Sequence, residues 1–277
     1  MHNAGKKKAN LVLAGRSKRS CGYARVSSIF LLSATLICLL ANPATAAPKS
    51  WPFETHWGRF AVYSDANLAE QRDLFREIQQ LEKDVTGELS LPVSDVPIHV
   101  FLFSNKETYQ RYLRRWFPQA PQRRAIFIKK NGPAMVFAVL SDKLAVDLRH
   151  ETTHAILHTA HPTVPLWLDE GLAEYFETPR EKRITGHPEY LSKTQWANWF
   201  RISSDLARLE SFNNMSEMDS SDYRQAWSWV HFLLHGPNGG KALLTGYLAD
   251  LRAHRRPQKL SARLGDVNAQ YLQHFRR

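Results

Sequence analysis

From residue 56 the run HWGRFAVYS alternates Phe60 and Val62 with polar neighbours, the period-two pattern of a half-buried strand. Leu68, Leu74, Phe75, Ile78, Leu81 and Val85 then recur at helical spacing, which predicts a helix capped by Asp65 and running to about residue 88. PIHVFLF at 97–103 predicts a second strand. Ser104 with Glu107 three positions later reads as a capping box that opens a helix through Trp116. Residues 124–129 and 134–140 predict two more strands, joined by a Lys130-Asn131-Gly132-Pro133 turn. The strand at 134–140 is either a plain sheet component or an edge to which an extended peptide could add.

Beyond residue 140 the apolar period becomes helical. Ser141 or Asp142 is the expected cap of the helix holding residues 150–154, and Pro165 opens the next one from a first-turn position. Further helices are expected near 187–209, 221–236, 239–254 and 260–275. The predicted fold class is α+β: a small N-terminal sheet with two helices, followed by a mainly helical half. Residues 47–140 and 141–277 would form these two parts of one domain.

The N-terminal 46 residues follow another pattern. Lys6, Lys7, Lys8, Arg16, Lys18, Arg19 and Arg25 precede a mostly apolar run at 26–40, and Ala44-Thr45-Ala46 supplies a small-x-small cleavage site. That order predicts a secretory signal peptide and a periplasmic or extracellular protein. The competing expectation is an uncleaved anchor, the only form in which a membrane would be a partner. Against it, the apolar run is shorter than the ~20 residues a span needs, contains Ser27, Ser28, Ser33 and Thr35, and is followed by Pro43.

Cleavage after Ala46 changes the composition argument. Losing seven basic residues lowers the net charge from +11 to +4, which removes the case for nucleic acid as a partner. Both cysteines, Cys21 and Cys38, lie in the removed segment, so any metal site must use imidazole and carboxylate donors. The oligomeric state is not written in the sequence.

The chemistry is concentrated in His150-Glu151-Thr152-Thr153-His154. Two imidazoles four residues apart share one helix face and can hold one ion, leaving Glu151 free beside it as a general base. A catalytic zinc site needs a third protein donor and one position for water. Glu170, inside WLDEGLAE, is the favoured third donor. His158, His161 and Asp169 are the other claimants, although Asp169 points about 100° away from Glu170 on a helix. Glu174, one turn after Glu170, is expected to support a ligand imidazole by a hydrogen bond. Asp147 reads as a surface acid. Arg123, Arg124 and Arg149 read as solvated cations, none singled out as a carboxylate binder.

HETTH followed by PLWLDEGLAEYFE resembles the gluzincin zinc metallopeptidases, most nearly the peptidase-MA-like family of exported proteins. The likeness takes in PIHVFLFS, YRQAWSWVHFLL and LSARLG, but only the metal motifs are sharply diagnostic. The resemblance implies a zincin-like fold, one Zn2+ held by His150, His154 and Glu170, and hydrolysis of a peptide or protein substrate. It also implies an oxyanion donor on the later helix, with Tyr223 preferred over His231. A function of another class stays open: a non-catalytic envelope binding or assembly module stapled by zinc. A closed fourth ligand, such as His158 or His161, would mark that alternative.

Overall fold

The computed structural model describes residues 51–129, 132–161, 163–200, 204–237 and 239–276. The expected signal peptide lies outside them, as do Lys130 and Asn131 of the expected turn. Gly58 takes a left-handed conformation (φ 59°) and divides the first predicted strand into a hairpin, β1 (Phe53–Trp57) and β2 (Phe60–Ser64). A two-residue connection of this kind needs positive φ, which glycine supplies without strain.

Asp65 does not cap the following helix. Its carboxylate accepts the Ser104 amide (2.6 Å) instead, and a 3-10 turn at Ala69–Gln71 leads into α1 (Arg72–Glu88). β3 (Ile98–Phe103) follows as predicted. The cap of α2 (Lys106–Trp116) is Asn105, which accepts from the Thr108 amide at 2.9 Å, so the expected Ser104–Glu107 box is displaced by one residue. β4 (Ala125–Ile128) and β5 (Ala134–Val139) complete a five-stranded sheet in the order β1-β2-β3-β5-β4. β2, β3 and β5 run parallel; β1 and β4 pair antiparallel at the two sides. The strand at 134–140 is therefore interior, because β3 and β4 flank it, and β4 takes the edge position.

Both faces of this sheet are covered, which is why its central strands read as near-continuous apolar runs. Ile98, Val100 and Leu102 of β3 belong to the larger core, while Phe101 and Phe103 belong to a smaller aromatic cluster with Tyr109 and Phe137. Ala134, Val136 and Ala138 of β5 share the larger core, and their small side chains suit the close packing of the helix that follows.

That helix, α3 (Leu144–Ala160), has no side-chain cap: Ser141 Oγ accepts only the Lys143 amide, at 3.2 Å. Pro165 stands at the cap of α4 (Leu166–Glu177), and its carbonyl accepts from the amides of Leu168 and Asp169. The expected helix at 187–209 is two helices, α5 (Tyr190–Trp199) and α6 (Leu206–Leu209), the second capped by Asp205. α7 (Ser220–His235) and α8 (Gly240–Arg252) match their predicted spans closely. The last expected helix divides at Gly265 (φ 66°) into α9 (Leu260–Leu264) and α10 (Asn268–His274). The architecture is α+β, a small N-terminal sheet followed by a mainly helical half. Among the described residues no helix is long and apolar enough to cross a membrane.

α3, α4 and α7 form the frame of the site. Gly171 sits where α4 meets α7: a Cβ there would stand 2.7 Å from the Ala226 carbonyl oxygen. The glycine after Glu170 is thus a packing requirement, and it sets how closely α4 can approach its neighbours.

Candidate metal centre

α3 is buried on nearly every side, yet it carries Asp147, Arg149, Glu151 and His154 among its buried residues. Such groups are tolerated in a core only when each is paired or held for a purpose. Asp147 is not a surface acid; it is 7% exposed and receives a two-pronged contact from Arg124 (2.6 and 2.7 Å). Arg149 is not solvated either. At 5% exposure it binds Glu77 at 2.8 Å and the Glu177 carbonyl.

His150 and His154 stand one turn apart on α3, and their Nε2 atoms are 3.2 Å from each other. Glu170 Oε2, from α4, lies 3.7 Å from the first and 3.9 Å from the second. The outer ring nitrogens fix the tautomers. His150 Nδ1 faces Glu177 Oε2 at 2.8 Å, and His154 Nδ1 faces Asp169 Oδ1 at 2.9 Å. A carboxylate only accepts, so each Nδ1 carries the proton and each Nε2 of a neutral ring presents a lone pair. Glu170 Oε2 is buried with no hydrogen-bond partner among the described residues. When both rings are neutral, three lone-pair atoms converge there, an arrangement that is costly unless a proton or a metal cation shares it. The donor set of two imidazoles and one carboxylate, all within 4.8 Å of one another, suits zinc.

The surrounding charge favours a cation as well. Burial opposes a charge on His154, but Asp169 and Glu170 lift its pKa to about 9. His150 is raised likewise by Glu170 and Glu177 against the same desolvation. Burial works to raise the pKa of Asp169 and Glu177, yet their imidazole partners hold both well below the usual carboxylate range.

Glu151 Oε2 accepts the Phe127 amide at 2.7 Å, which ties it to the edge strand β4. His150 and Glu151 face a cavity of about 640 Å³, whose lining also includes Glu174, Glu177, His187 and Tyr190. The support expected of Glu174 is given by Glu177 and Asp169. Glu174 itself is hydrogen-bonded to Tyr190, and burial together with Glu177 pushes its pKa up to about 7.

The other claimants are placed elsewhere. His158 Nε2 binds the second oxygen of Asp169 at 2.9 Å. His161 is buried with neither ring nitrogen hydrogen-bonded among the described residues, and burial lowers its pKa to about 4. His231 is a core residue, bonded to His274 and to the Ile184 carbonyl. Tyr223 is half-buried and within electrostatic reach of Glu170 and Glu174. Its phenol is hydrogen-bonded to Arg123, and burial raises its pKa, so it stays protonated at neutral pH.

Sequence reasoning missed Glu177 and weighed Asp169 only as a rival third ligand, not as the partner of His154 Nδ1 and His158. Glu177 had a signal: seven residues after Glu170, it falls about 20° away on a helical wheel, closer than Glu174 at about 40°. No protein-family model and no curated protein sequence matches this chain.

Proposed function

We propose that the chain is an exported zinc-dependent metallopeptidase of gluzincin type, with His150, His154 and Glu170 as ligands and Glu151 as general base. The observation that carries this reading is the convergence of the two imidazole Nε2 atoms on the buried Glu170 oxygen, with the adjacent Glu151 open to a cavity. A zinc ion held there supplies Lewis acidity, which polarises a carbonyl and acidifies water.

The protein's own groups do the rest. Glu177 and Asp169 keep both imidazoles in the ligand tautomer. The Phe127 amide orients the Glu151 carboxylate, which accepts a proton from water and passes it to the leaving amine. The Tyr223 phenol is the donor for oxyanion charge. β4, at the sheet edge beside Glu151, is the surface along which an extended substrate would add. Export rests on the basic lead, apolar run and Ala44-Thr45-Ala46 site of the N-terminal segment.

A zinc-stapled binding module is the competing reading. The bond from the Phe127 amide favours it, since one Glu151 oxygen is already engaged. Cleavage of a mixed-peptide library by the purified zinc-loaded chain, with and without chelator, separates the two. The peptidase reading expects Glu151→Gln to keep its zinc and lose on the order of 10²–10⁴-fold in rate. Chelator-insensitive cleavage, or a variant as active as the parent, would refute it.

A further inference from the structure

Four arginine or lysine side chains line the cavity beside His150 and Glu151: Arg123, Arg124, Lys143 and Arg149. Arg149 is consumed by Glu77 and the Glu177 carbonyl, and Arg124 by the two oxygens of Asp147. Lys143 faces Asp142 at 4.0 Å. Arg123 differs from all three. Among the described residues it makes no ion pair; its contacts are the Met215 sulfur at 3.9 Å and the Tyr223 phenol. It is solvent-exposed and stands two residues before β4.

A guanidinium offers five N–H donors in a planar fork that matches a carboxylate, and two contacts leave donors to spare. The lining also carries Glu174, Glu177 and Glu189, which would repel an anion not seated on a cation. Of the lining cations, Arg123 is the one exposed arginine whose charge no carboxylate among the described residues already pairs. The bond to Tyr223 ties Arg123 to a residue within reach of Glu170.

Resting on the peptidase reading and narrowing it, we propose that Arg123 is a carboxylate-binding subsite, so that the favoured substrates are peptides presenting a free carboxylate near the scissile bond. That carboxylate is either the C-terminus or an Asp or Glu side chain, and the guanidinium chemistry is the same for both. Arg123 binds and positions the substrate through a two-pronged contact; it takes no part in proton transfer.

The test uses the zinc-loaded chain and three random tetrapeptide pools. The first has free C-termini and no acidic residues, the second is the same pool amidated, and the third is amidated with one Asp or Glu. Affinity is read from the ligand-induced rise in unfolding temperature, which needs no turnover, and cleavage is followed in parallel. The free-acid pool, the acidic pool or both should bind at least about tenfold more tightly than the neutral amidated pool. Which of the two does so identifies the source of the carboxylate. The preference should vanish in Arg123→Gln and weaken in Arg123→Lys, which keeps the charge but not the fork. Equal binding of all three pools overturns the proposal. So does a preference that survives in Arg123→Gln, which would place the carboxylate on the metal itself. A preference that depends on Arg123 without any cleavage would sustain the anion subsite and count against the peptidase reading alone.

Discussion

Glu177 accepts a hydrogen bond from His150 Nδ1 at 2.8 Å, and its other oxygen faces His187 Nε2 at 3.1 Å. One carboxylate thereby links the first ligand histidine to His187, another residue of the cavity lining. Removing it frees the imidazole to rotate or change tautomer. Glu177→Ala should weaken zinc binding by about 10–100-fold, as loss of such supporting contacts commonly does. Competition with a chromogenic chelator measures the affinity, and circular dichroism confirms that the variant folds.

Two glycines in the helical half give opposite expectations. At Gly171 a new Cβ would meet the Ala226 carbonyl oxygen at 2.7 Å and Val230 at 3.0 Å. Gly171→Ala should destabilise the fold by about 1–3 kcal/mol, through forced separation of α4 and α7. At Gly246, exposed in α8, a Cβ meets nothing within 4 Å. Gly246→Ala should stabilise by about 0.5–1 kcal/mol. Urea unfolding of both variants tests the pair.

A third expectation concerns acid. His161 is buried with both nitrogens unpartnered among the described residues, and burial holds its pKa at about 4, against 6.5 for an exposed histidine. The unfolded chain therefore binds more protons than the folded one between these values. The stability is fully present above pH ~6.5 and is lost as pH falls towards 4. By pH 5 this one group should cost about 2 kcal/mol. In His161→Phe the decline in stability from pH 7 to pH 5 should be smaller by that amount, as denaturant titrations at the two pH values would reveal.

The sequence made some of this legible and concealed the rest for identifiable reasons. Continuous apolar runs located β3 and β5, which are covered on two faces, and helical spacing located α1, α7 and α8. HETTH spacing put both imidazoles on one face of α3, and the third carboxylate was found by its place in WLDEG. Breaks were missed where one glycine or cap divides a continuous apolar pattern, as at Gly58, Asp205 and Gly265. The roles of Asp169 and Glu177 depend on how α4 is turned against α3. That angle is set by tertiary packing, including the close approach at Gly171, and not by local spacing. β5 was thought a possible edge because strand order is a long-range property that its own residues do not encode.

Zinc content of the purified chain, beside that of Glu170→Ala and Glu151→Gln, tests the central claim most directly. About one zinc per chain is expected in the parent and in Glu151→Gln, and far less in Glu170→Ala after dialysis against a weak chelator. A parent chain that binds no divalent metal, or a Glu170→Ala variant that holds zinc as tightly as the parent, would contradict it.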